Sequence, residues 1–142
     1  MTSQLNVDTI VDKAGSGGTN VKVANTSTYV SDGGNVTQNT VQSLVKVWCL
    51  FVQSSSHTVS DSLNIGSLTD NGTGDTTQNF TNNMSSSNFS GTCNAGLSNN
   101  RYAIWSTLGT GTMPVAVYRR GSSSSTADDA SGITTQVAGD LA

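Results

Sequence analysis

Residues 62 to 80, SLNIGSLTDNGTGDTTQNF, constrain the fold more than any other stretch of this 142-residue chain. An alternating apolar run enters a turn signal and leaves as a second, mostly polar strand. Leu63 and Ile65 are expected on one face with polar neighbours on the other, while Asp70, Asn71 and Gly72 tolerate the positive φ of a tight reversal. The stretch predicts a β-hairpin and carries no evident catalytic group.

The rest of the chain extends that reading. Ser, Thr, Asn and Gly make up about half of it, charged residues only 11%, and there is one proline and no glutamate. Ser, Thr and Asn compete with helical hydrogen bonds through their own side chains and Gly adds backbone entropy, whereas Thr and Val suit strands. An all-β chain follows. Disorder is the rival reading of such polarity, but it goes with high net charge, and here the net charge is −3. Three Lys and three Arg, with a pI near 4.6, argue against a nucleic-acid partner. No apolar run approaches the roughly 20 residues of a membrane-spanning helix, and no basic segment followed by an apolar core opens the chain, so no membrane insertion or secretion is expected.

Strands recur from Val45 onward at the spacing of a sandwich. VKVWCLFV, residues 45 to 52, is apolar on both faces apart from Lys46 and must be central. In residues 58 to 68, Val59, Leu63 and Ile65 share a face, and Gly66 marks a bulge before Leu68. Residues 75 to 81 return with Phe80. NFSGTCNAGL alternates Phe89, Gly91, Cys93, Ala95 and Leu97 against polar partners. RYAIWSTL and MPVAVYRR form a second hairpin, and ITTQVAGDL follows a serine-rich loop. The prediction is an antiparallel β-sandwich of about seven strands over residues 44–142. Residues 1–43 differ: apolar snippets too short to own a core alternate with Gly-, Ser- and Asn-rich segments, which predicts an extended N-terminal arm that pairs with the downstream domain or with another subunit.

The candidate chemical groups are sparse. His57, flanked by serines, is expected on a solvent-exposed loop, with no partners spaced for a Ser, His, Asp triad. One His and two separated Cys cannot build a usual zinc shell. Asp70, Asn71, Thr73 and Asp75 could offer oxygens to calcium, but the closing bidentate Glu is missing and a plain turn is preferred; Asp128 and Asp129 share the ambiguity. Cys49 and Cys93 read as small buried hydrophobes, with a disulfide between sheets left open. Trp48, Trp105, Tyr102 and Tyr118 fit either core and subunit contacts or a sugar-stacking platform. Arg101, Arg119 and Arg120 fit intersubunit salt bridges or a solvated strand end. No cofactor is expected.

Taken together, KVWCLFV, the segment SLNIGSLTDNGTGDTTQNFTNNMSSSNFSGTC and NNRYAIW resemble a β-structured domain of tailed-phage virion proteins, often called tail-fibre proteins. The positions that carry the resemblance are Lys46 and Trp48, Leu63 to Ile65, Asp70 to Asp75, Asn79 to Thr81, Met84 and Phe89, within residues 45 to 105. LNVDTIVDKAGSGG also looks like the opening segment of many small phage virion proteins. Cys49, Cys93 and the longer, polar carboxyl end depart from the pattern. The resemblance implies a virion component made in the bacterial cytoplasm, with no catalytic residue.

The functional expectation is a non-enzymatic structural protein, a homotrimer or other homo-oligomer. It would serve as capsid decoration or as a tail-fibre or adsorption appendage, with other virion proteins as partners. Val7, Ile10, Val21 and Val23 of the arm would dock on a neighbour, while Trp48, Phe51 and Trp105 anchor the sandwich and its interfaces. The alternative is a module that recognises a host surface glycan.

Overall fold

The computed structural model describes residues 28–30, 37–40, 42–54, 56–96 and 100–141. The chain divides into two units, Met1–Val41 and Gln42–Ala142. In the first, β1 (Thr28–Val30) and β2 (Thr37–Asn39) pair antiparallel, with Tyr29 opposite Gln38. Part of the expected extended arm is therefore a short hairpin. Val7, Ile10, Val21 and Val23 lie outside the described residues.

The second unit is the β-sandwich. One sheet has four antiparallel strands in the order β4 (Thr58–Leu63), β3 (Val45–Val52), β11 (Ile133–Ala138) and β7 (Ser90–Ala95). The other is built on β9 (Thr112–Arg120). β8 (Arg101–Trp105) pairs with its Val115–Arg119 segment. β6 (Asp75–Phe80) and β10 (Ser125–Ala127) overlap that register in succession, so they share the opposite edge of β9. β5 (Ile65–Gly72) completes this sheet beside β6. Gln42, which the sequence pattern assigned to the arm, belongs to the sandwich and donates to Asp140 at 2.9 Å.

Alternation decides which side chains meet between the sheets, because successive residues of a strand point to opposite faces. From the four-stranded sheet come Val47, Cys49, Phe51, Ala95, Ile133 and Val137; from the other come Phe80, Met113, Val115 and Val117, all buried. Each large apolar side chain removed from water in this way contributes roughly 1.5–3 kcal/mol. Phe51 is fully enclosed, so it packs the sandwich itself and cannot contact a second subunit. Gly91 leaves room for Met113: a Cβ there would lie 3.1 Å from the methionine methyl group.

Nine strands make the sandwich rather than about seven, and two departures account for it. The stretch read as one strand over residues 58 to 68 breaks at Asn64, whose φ of 61° turns the chain from one sheet into the other. Asn is among the few side chains that tolerate this left-handed conformation, and its amide holds the corner by accepting from Asn82 N–H at 2.7 Å and donating to Asn82 O at 3.0 Å. Leu63 and Ile65 consequently do not share a face: Leu63 is 47% exposed, whereas Ile65 packs against the core. The second departure is β10, a short strand inside the serine-rich loop. The predicted bulge at Gly66 is present as a register shift between Ile65 and Ser67.

The hairpin itself is β5–β6, tighter than the sequence suggested. Gly72 faces Asp75 across a loop of Thr73 and Gly74, and the positive φ values belong to Gly72 and Gly74 (128° and 71°), not to Asp70 or Asn71. Gly74 is doubly required. A Cβ there would lie 2.5 Å from Val117 O, and its own N–H and C=O bond to Asp129 Oδ1 and Val117 N–H, both at 2.7 Å.

Candidate interaction surfaces

The two outer faces of the sandwich are built differently. On β5 and β6 the outward residues are Ser67, Thr69, Asn71, Asp75, Thr77 and Asn79, set opposite one another by the hairpin register. Asn79 Nδ2 donates to Thr69 Oγ1 at 2.9 Å and Ser67 Oγ at 3.2 Å; Asn71 Nδ2 donates to Thr77 Oγ1 at 2.9 Å and Asp75 Oδ1 at 3.3 Å. This ladder satisfies itself. Asp70 accepts from Gly72 N–H at 2.8 Å, so the Asp70 to Asp75 segment uses its oxygens to hold the turn and the register. Among the described residues no group of three or more His, Cys, Asp or Glu is placed to hold a metal ion.

On the four-stranded sheet the outward residues of β3, β11 and β7 form two rows. Trp48, Gln136 and Thr92 lie side by side, and next to them Leu50, Thr134 and Asn94. Leu63 extends the first row beyond Trp48. These six side chains rim a hollow of about 430 Å³ floored by Cys49, Thr135 and Cys93, and no residue lining it is charged.

A third surface lies along β8, an edge strand. Tyr102, Ile104 and Trp105 are 38–45% exposed, and Tyr102 stacks on Tyr118 of β9 with ring centroids 5.6 Å apart. A cleft between β8 and β7 is lined by Gly91, Thr92, Cys93, Ala103, Ile104 and Trp105. The four aromatics considered as a sugar platform are therefore dispersed: Trp48 faces outward from one sheet, Tyr102 and Tyr118 from the other, and Trp105 sits at the edge. At the end of β8, Arg101 and Arg119 are directly opposed, a repulsive arrangement that Asp128 resolves by accepting from Arg101 Nε at 2.6 Å and Arg119 Nε at 2.7 Å. Their ion pairs are thus made within the chain. The hydrogen bond from Arg101, partly opposed by desolvation and reinforced by Arg119, holds the Asp128 carboxyl below the usual carboxylate range.

His57 is not on an exposed loop. Its side chain is only 4% exposed, with Nδ1 2.9 Å from Thr76 Oγ1 and Nε2 3.4 Å from Asp70 Oδ1. Thr76 Oγ1 accepts in turn from Gln53 Nε2 at 2.8 Å. Hydroxyl, imidazole and carboxylate stand in the order of a hydrolase triad, but Thr76 is fully buried and no substrate can reach its oxygen. This chain closes one end of the core with polar contacts.

The cysteines also have a definite geometry. Cys49 and Cys93 both lie opposite Thr135, on the two strands flanking β11, so they share one sheet. Two strand spacings separate their Cα atoms by about 9.5 Å, beyond the roughly 7 Å a disulfide spans, and both thiols are free. Burial pushes the Cys49 thiol up to about 11 and raises that of Cys93, so neither supplies a thiolate near neutral pH.

No protein-family model matches the chain, nor does any curated protein or solved structure.

The candidate residues were unevenly visible beforehand. Trp48 is half-buried and Trp105 exposed, whereas Phe51 is enclosed in the core and anchors the sandwich from within. Thr92, Asn94, Thr134 and Gln136 were not singled out. The alternation of GTCNA and ITTQVA marks them as outward, but only the β3–β11–β7 order brings them beside Trp48.

Proposed function

We propose that this protein is a non-enzymatic structural component of a bacteriophage particle. In this reading the sandwich is surface-exposed, assembles as a homo-oligomer, and is fastened to the particle by the amino-terminal segment, as capsid decoration or as a tail appendage. The observation that carries the reading is β8: an edge strand with Tyr102, Ile104 and Trp105 substantially exposed. An unprotected apolar edge invites pairing and is ordinarily covered or charged in a monomer. Covering it with another copy suits a repeated assembly. The Lys46 to Phe89 motif supports the virion assignment, and the sealed Thr76–His57–Asp70 chain supports a non-catalytic role.

Sedimentation of the full chain and of an Ile104→Lys variant tests the self-association. The wild type is expected to form a discrete oligomer and the variant, still folded by circular dichroism, to be monomeric. A wild-type monomer at all concentrations would remove the carrying observation. Particle purification with quantitative mass spectrometry then separates the locations: hundreds of copies indicate decoration, and up to a few dozen indicate the tail.

A further inference from the structure

We infer that the hollow over Trp48 binds a neutral saccharide, with the indole stacked on one sugar ring and the amides of Gln136 and Asn94 bonded to its hydroxyls. This does not rest on the virion reading or on self-association through β8, although Thr92 and Cys93 also line the cleft beside that strand.

The chemistry of the rim selects the occupant. None of the nine lining residues is charged, so nothing there offsets the charge of a phosphate, an acidic sugar or an acidic peptide. One side of the rim is apolar, Trp48 and Leu50; the other two strands contribute hydroxyls and amides, Thr92, Asn94, Thr134 and Gln136. A pyranose ring has the matching division, with apolar C–H faces and a belt of hydroxyls, each able to donate and accept. Amide side chains also carry both a donor and an acceptor, which suits hydroxyl partners. A volume of about 430 Å³ lies within the usual range for small-ligand clefts.

The second argument is the contrast between the two outer faces. The ladder on β5 and β6 commits the side-chain N–H groups of Asn71 and Asn79 to neighbouring side chains. Around Trp48, Asn and Thr again stand at the lateral spacing of paired strands, joined by Gln, yet the side chains of Thr92, Asn94, Thr134 and Gln136 have no hydrogen-bond partner among the described residues. They are available to a ligand. An added peptide strand is disfavoured over Trp48, Leu50, Thr134 and Gln136, because β3 and β11 are paired on both sides; strand addition could reach only the outer edge of β7, away from the indole.

The test uses the full chain labelled with ¹⁵N, titrated with maltohexaose, cellohexaose, chitohexaose and a mannan oligosaccharide. Trp48 and Trp105 are the only tryptophans, so the two indole N–H resonances are assigned by Trp48→Phe and Trp105→Phe. At least one saccharide is expected to shift the Trp48 resonance and the side-chain amides of Asn94 and Gln136, leaving Trp105 unmoved. Asn94→Ala and Gln136→Ala, which leave the core untouched, are each expected to weaken binding roughly fivefold to tenfold. Trp48→Ala is expected to abolish it with the fold retained by circular dichroism. Silence across the panel in the folded wild type would overturn the proposal, as would undiminished binding in both amide variants. A concentration-dependent shift of Trp48 without saccharide, accompanied by dimerisation in sedimentation, would also overturn it by assigning the hollow to a second copy.

Discussion

The outer faces of the two sheets use nearly the same amino acids to opposite ends. On β5 and β6, Ser, Thr, Asn and Asp are opposed across a tight hairpin and spend their hydrogen bonds on one another. On β3, β11 and β7, Thr, Asn and Gln surround an indole and remain unspent. The polar side chains alone did not distinguish the faces. What differs is the spacing of polar partners and the presence of one large apolar surface, so a polar β-face becomes either a self-sealed skin or a receptive site according to its cross-strand neighbours.

The largest expected effect comes from the layer both faces rest on. Phe51→Ala should cost about 3–5 kcal/mol, because the enclosed ring leaves a cavity between the sheets. Urea unfolding followed by tryptophan fluorescence measures it, and loss of only one face's properties at native conditions would show that the sheets are less coupled than their shared core implies. Gly74→Ala comes next, at roughly 3 kcal/mol, since it combines a left-handed φ with a backbone clash and releases the hairpin that sets the ladder register.

Asp128 tests the boundary of the β8 edge through pH. Arg101 and Arg119 lower its folded pKa, so the stabilisation is fully present above the ordinary carboxylate value near 3.8 and is lost as pH falls below it through the lowered value. Asp128→Asn should therefore be less stable than wild type at pH 7, with the gap closing toward pH 2.5 in urea midpoints. A gap that widens on acidification would contradict the assignment. The smallest effects sharpen the contrast directly. Asn79→Ala should cost about 1 kcal/mol by breaking ladder hydrogen bonds, whereas Asn94→Ala and Gln136→Ala should change stability by less than about 0.5 kcal/mol. Equal costs on the two faces would erase the distinction.

Much of the fold was legible in advance. The apolar patterning of VKVWCLFV, MPVAVYRR and ITTQVA located three strands, because period-two patterning is a local property, while which of their faces turns inward came from the packing of the two sheets. The bulge at Gly66 was readable for the same reason. The corner at Asn64 was not: LNI continues the alternation, and only the demand that two sheets face each other makes Asn64 turn. His57 was misplaced because its serine-rich flank reads as a surface loop, while its partners Thr76 and Asp70 lie at least 13 positions away. The Trp48 hollow was half visible, since the indole was a candidate and its amide neighbours were not.

Composition and alternation alone established an all-β chain and the approximate positions of most strands of the sandwich, since these depend on residue type and nearest neighbours. The three-dimensional arrangement settled what depends on lateral contact: which strands flank β11, that Cys49 and Cys93 stand too far apart to bridge, that Asp128 bridges two opposed arginines, and that the polar side chains of one face are paired while those around Trp48 are not. Hydrogen bonds and stacking act over a few ångströms in space, and a β-sheet brings to that distance residues that the chain separates by dozens of positions.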